Sequence, residues 1–81
     1  MINWYTYMVR CNDGSLYTGI TNNLIGRVKA HNSGRGAKYT NAHRPVSLVW
    51  IKSFSYKSEA LKEEARIKSC TKSEKELIVK S

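Results

Sequence analysis

Two tyrosine-bearing segments, Tyr5-Thr6-Tyr7 and Tyr17-Thr18-Gly19, stand on either side of Asn12-Asp13-Gly14. Each segment reads as β-strand, and the residues between them are turn formers, so the stretch predicts a hairpin. A three-residue loop with Gly14 in the left-handed conformation sets Cys11 against Ser15. The same register sets Val9 against Tyr17 and Tyr7 against Gly19. Side chains alternate along a strand, so Tyr5, Tyr7, Val9, Tyr17 and Gly19 share one face. Tyr7 and Tyr17 become diagonal neighbours, near enough for their rings to share a site, and Gly19 leaves space beside Tyr7. These residues alone also describe a plain hairpin whose tyrosines are half-buried packing.

The remaining pattern supplies helices and one more strand. Thr21-Asn22-Asn23 offers N-caps for a helix to about Asn32 with apolar Leu24, Ile25 and Val28. Arg27 and His31 are one turn apart and share a face bordering that stripe, which places them at the edge of the packed interface. Gly34 suits the helix end. Arg35 to Arg44 reads as a charged loop in which Arg35, Lys38, His43 and Arg44 surround Tyr39. Basic residues with an interleaved aromatic suit a phosphate backbone with one base stacked, and a solvated loop would have the same composition. Gly34 and Gly36 would let backbone approach a ligand closely.

Val46 to Phe54 is apolar on both faces, which predicts the central or most covered strand. A helix from about Lys57 to Ser69, with Ser55 as a cap, turns Ala60, Leu61, Ile67 and Lys68 inward. Glu64 lies in the middle of that stripe, and Glu59, Glu63 and Arg66 fall on wetter faces. An inward carboxylate calls for a cation: a metal, or a structural partner such as Arg27 or a lysine. Thr71-Lys72-Ser73-Glu74 is a capping box opening a last short helix anchored by Leu77 and Ile78.

The formal charge of +8 favours a polyanionic partner, most simply nucleic acid. Cys11 and Cys70 are too few for a disulfide framework or a four-ligand zinc site, and suit reduced thiols in a cytoplasmic protein. The opening Met1-Ile2-Asn3-Trp4-Tyr5 lacks the plan of a signal peptide, and no apolar run reaches membrane-spanning length. The 81 residues make one domain, with its core over about 4–79.

The paired motifs resemble those of the GIY-YIG nuclease superfamily. Tyr5-Thr6-Tyr7 stands at the first name motif, matching its tyrosine, and Tyr17-Thr18-Gly19 at the second, matching both outer residues. Downstream, Arg27, His31 and Glu64 fall where the family pattern has a helical arginine, a histidine or tyrosine four residues on, and a glutamate on a later helix. Trp4-x-x-Tyr7-Met8-x-Arg10, the run Gly14 to Thr21 and Glu64-Ala65-Arg66-Ile67-Lys68 resemble the small stand-alone bacterial members. Tyr5-Thr6 replaces the usual Gly-Ile, and the asparagine that some members carry beyond the glutamate is absent.

The resemblance implies an α+β fold, a three-stranded antiparallel sheet flanked by helices in the order β-β-α-β-α-α. It implies a metal-dependent endonuclease of DNA or branched nucleic acid, in repair or recombination. Tyr17 is then the residue of water activation and Tyr7 orients water or phosphate. Arg27 clamps phosphate oxygens, His31 shares in proton transfer or phosphate contact, and Glu64 holds a single Mg²⁺ or Mn²⁺. Arg27, Arg35, Lys38, Tyr39, Arg44 and Lys68 are the expected nucleic-acid contacts. A binding module without useful catalysis, or a small basic RNA- or ribosome-associated protein, would share the fold and charge.

Overall fold

The computed structural model describes residues 3–81. Met1-Ile2, the start of the stretch read above for a leader, lies outside them. Strands β1 (Trp4–Arg10) and β2 (Leu16–Thr21) form the expected hairpin. Val9 pairs with Tyr17 and Tyr7 with Gly19. The Cys11 N–H donates to the Ser15 carbonyl at 2.8 Å, and Gly14 has φ +86°. Turn chemistry fixed this register, since only that backbone conformation closes the loop at this length.

Helix α1 (Leu24–Asn32) follows, capped by the Asn23 side chain, which accepts from the Gly26 N–H at 3.1 Å. Gly34 ends it at φ +86°. The segment expected to be an open loop contains a five-residue helix, α2 (Lys38–Ala42), too short to leave a periodic trace in the sequence. Strand β3 (Ser47–Phe54) leads to α3 (Lys57–Lys68) and α4 (Lys72–Lys80). Glu59, rather than Ser55, caps α3, accepting from the Tyr56 N–H at 3.2 Å. The Thr71–Glu74 capping box forms as expected.

The sheet order is β2-β1-β3, all antiparallel. The central strand is therefore β1 and not β3. Four consecutive residues of β1, Thr6 to Val9, are fully buried, which requires cover on both faces. The apolar residues on the two faces of β3 are only partly covered: Leu48 and Ile51 remain exposed.

The helices divide between the two faces. On the tyrosine face, Tyr7, Val9, Cys11 and Val46 form the core, with Tyr17 and Leu24 against it. On the other, the Thr6 hydroxyl donates to the Ala60 carbonyl at 2.8 Å, and Met8, Ala60 and Ile67 are fully buried. Arg10 on that face grips Glu76 of α4 through two hydrogen bonds of 2.7 Å. Leu61 and Leu77, expected as inward anchors, are exposed. Among the described residues no helix is long and apolar enough to cross a membrane, and both cysteines are free thiols.

Candidate active site

Tyr7 extends from the central strand across Gly19 on the neighbouring one. A Cβ at Gly19 would stand 2.6 Å from the Tyr7 hydroxyl oxygen, so only a residue without a side chain admits the phenol there. His31, from the last turn of α1, meets it with Nε2 at 2.9 Å. One turn earlier on the same face, Arg27 Nε donates to the Tyr7 oxygen at 3.4 Å. Behind the imidazole, Thr40 of α2 lies with Oγ1 2.6 Å from His31 Nδ1. A Cβ at Gly36 would collide with the same ring. The two loop glycines expected to face a ligand therefore serve the fold, Gly36 beside His31 and Gly34 at the helix end.

The proton positions follow from one hydroxyl. Thr40 Oγ1 donates to the Ala37 carbonyl at 3.0 Å, so its only proton is committed. Its oxygen must accept Nδ1–H from His31. Nε2 is then the bare nitrogen that accepts the Tyr7 hydroxyl proton. A directed chain results: Arg27 to Tyr7, Tyr7 to His31, His31 to Thr40, Thr40 to Ala37. Its electrostatics agree. Burial, then the charge of Arg27, lowers the pKa of His31 and keeps the imidazole neutral. Burial raises the pKa of Tyr7. The hydrogen bond and charge of Arg27 oppose that rise, and Tyr17 and Glu64 add to it.

Helix α3 covers the face opposite the tyrosines, where Thr6 and Met8 also need burial. Glu64 still lies close enough for its charge to act on Tyr7. Its side chain is 21 % exposed and its ion-pair partner is Lys68, 3.4 Å away and 52 % exposed. The structural partner weighed above is thus a lysine one turn along and not Arg27. His31 departs from its expected edge position. It is fully buried, because α2 closes over it.

Tyr17 is half-buried, with its ring edge-on to His31 at 5.5 Å between centroids. Tyr7 and Tyr17 therefore meet the same imidazole from one face of the hairpin. The predicted nucleic-acid contacts scatter more widely. Tyr39, Lys38 and Arg35 are exposed on and before α2. Arg44 is exposed but turns back to the carbonyls of Asn41 and Asn32 at 3.1 and 3.4 Å.

A family model described as the GIY-YIG catalytic domain matches residues 3–77. The chain belongs to the GIY-YIG family. Members are generally endonucleases acting on nucleic acid, typically with a divalent metal. The chain is 49 % identical over 77 residues to a UPF0213 protein of Bacillus pumilus, covering 95 % of this chain and 79 % of that one. It is likewise 49 % identical over 77 residues to UPF0213 protein YazA of Bacillus subtilis, covering 95 % and 78 %. Among solved structures, it is similar to the solution NMR structure of UPF0213 protein BH0048 from Bacillus halodurans. There the TM-score is 0.63 at 42 % identity, over 96 % of this chain and 83 % of that one. Protein EF2693 from E. faecalis gives 0.66 at 41 %, over the same shares.

Beside the GIY-YIG motif residues stand others that the sequence left unmarked. Thr40 sets the tautomer of His31, yet it sits in a stretch read as a charged loop whose marked residues were its cations and Tyr39. Glu63, assigned to a wet face, is 11 % exposed and pairs with Arg66 at 2.6 Å and Lys52 at 3.8 Å. Its pKa is lowered, first by the hydrogen bond from Arg66. No group of three or more His, Cys, Asp or Glu converges among the described residues.

Proposed function

We propose that this GIY-YIG chain is a metal-dependent endonuclease that hydrolyses phosphodiester bonds in DNA or branched nucleic acid, in repair or recombination. The observation that carries this reading is the directed hydrogen-bond chain from Arg27 through Tyr7 and His31 to Thr40, placed beside Tyr17 and within electrostatic reach of Glu64.

Glu64 fits a hard cation. It is a half-buried carboxylate whose ion-pair partner is a solvated lysine on a flexible stem, and Mg²⁺ or Mn²⁺ is commonly held by one or two carboxylates plus phosphate and water. Held there, the cation would supply charge neutralisation at the phosphate. Arg27 gives its Nε to Tyr7, which leaves both Nη groups to clamp phosphate oxygens. Tyr17 would orient the attacking water and relay its proton to solvent, the cation raising that water's acidity. Tyr7 fixes Arg27 and is itself fixed by Gly19 and His31. The bare Nε2 of His31 accepts the Tyr7 hydroxyl proton in a hydrogen bond and so holds the phenol oxygen towards Arg27.

The test is cleavage of linear, flapped and branched DNA and RNA with and without Mg²⁺ or Mn²⁺. Cleavage should require the metal, and Arg27→Ala should slow it about 10²- to 10³-fold. Glu64→Gln should stay folded, within about 1 kcal/mol of the wild type, since the pair it breaks is solvated. It should lose cleavage while metal-free binding holds or tightens. A folded Glu64→Gln protein that cleaves at the wild-type rate removes Glu64 as the metal ligand. A wild type that binds but cleaves no substrate with either ion leaves a binding module.

A further inference from the structure

A groove of about 270 Å³ is lined by Leu16, Tyr17, Thr18, Tyr39, Lys68 and Lys75. Leu16 and Thr18 point to one face of β2 and Tyr17 to the other, so the groove follows the free edge of that strand. At its aromatic end, Tyr17 and Tyr39 lie parallel within 15° at 6.3 Å between centroids. His43 stacks on Tyr39 at 4.4 Å and 20°.

Tyr39 is held rigidly and yet left open. Its hydroxyl donates to Ser15 Oγ at 2.6 Å, and Ser15 Oγ donates to Asp13 at 2.5 Å. His43 Nδ1 donates to the Tyr39 carbonyl at 2.7 Å, with Nε2 3.4 Å from Asp13. A packing tyrosine held this firmly would be covered, but Tyr39 is 43 % exposed. Further along, Lys68 and Lys75 bring two cations, one on each helix of the opposite layer. Thr18 is 3 % exposed and its hydroxyl has no hydrogen-bond partner among the described residues. A pre-ordered π-surface and two ammonium groups in one groove match a nucleotide: base and phosphates.

We propose that the Tyr39–His43 stack is a shelf for one unpaired nucleobase, with Lys68 and Lys75 on the adjoining phosphates. In an intact duplex both faces of a base are covered by its neighbours, so a base can lie on Tyr39 only at a single strand, gap, flap or junction. Lys68 also pairs with Glu64, and Tyr17 touches both His31 and Tyr39. Tyr17 therefore joins the shelf to the Arg27–Tyr7 centre. This substrate preference rests on the nuclease reading above.

The experiment measures metal-free binding of a fluorescent single-stranded oligothymidylate and of a blunt duplex of equal length, with melting curves for every variant. Tyr39→Leu should weaken single-strand binding about tenfold and duplex binding less than about twofold. Tyr39→Phe, which keeps the ring and loses the Ser15 bond, should stay near the wild type on both probes. The shelf is overturned if a folded Tyr39→Leu protein binds the single strand as the wild type does, or loses both probes equally. It is equally overturned if Tyr39→Phe falls as far as Tyr39→Leu. Wild-type cleavage with an inert Tyr39→Leu would sink the shelf alone. A tenfold Tyr39→Leu effect in a protein that never cleaves would sink the nuclease reading and keep the shelf.

Discussion

Tyr7 and His31 meet through a 2.9 Å hydrogen bond inside the protein, whereas Tyr39 and His43 meet face to face at 4.4 Å near its surface. The residue types are the same and the chemistry differs because the surroundings differ. In the first pair every polar atom is committed to a buried partner, so removing one leaves another unsatisfied. In the second, water can replace any bond that is lost. Burial makes the first pair a fixed hydrogen-bonded link, and exposure leaves the second a contact surface.

The largest separation should come from deleting each imidazole. His31→Ala empties a fully buried site, taking from the Tyr7 hydroxyl its acceptor and from the Thr40 oxygen its donor. It should destabilise by about 2–5 kcal/mol, read as a drop in the urea midpoint. An effect no greater than that of His43→Ala would erase the distinction. Gly19→Ala should come next, at about 1–3 kcal/mol, because its methyl meets the Tyr7 hydroxyl in a packed interior. Cleavage should fall with it, and an active, stable Gly19→Ala protein would show that Tyr7 need not sit where it does.

Acid should separate the pairs more gently. The lowered pKa of His31 means that the unfolded chain binds a proton the folded chain refuses. Stability should be full above the ordinary imidazole range, near 6.5, and should fall as pH drops from there towards the folded value. Melting temperatures between about pH 8 and 5 test this, and the slope should persist in His43→Ala. Its loss there would assign the slope to the surface pair. The smallest change is His43→Ala at neutral pH, about 0.5–1 kcal/mol, since only a stacked contact and exposed polar contacts to the Tyr39 carbonyl and Asp13 are removed.

How much of this was legible depends on the range of the forces involved. The Tyr7–Gly19 register could be read because a three-residue turn dictates it locally. The helix limits at Asn23, Gly34 and Thr71 could be read for the same reason. The burial of His31 could not. It depends on Thr40, nine residues on, in a helix of a single turn that only tertiary packing sustains. The place of β3 was misread because an apolar strand looks alike whether its residues are covered or left at an edge. Glu63 looked wet because nothing in the spacing shows that Lys52, from another strand, folds over it.

The turn at Asp13 and Gly14 has a mechanical consequence. From one layer, Asn12 N–H donates to the His43 carbonyl at 3.0 Å, and Tyr39 and His43 reach Ser15 and Asp13. From the other, Lys72 and Arg10 each donate to the Gly14 carbonyl at 3.1 Å while Arg10 holds Glu76. The hairpin tip is thus a rivet through both layers. A residue inserted there would loosen α2 and α4 together, although a sheet lies between them, and would slacken the groove at both walls at once.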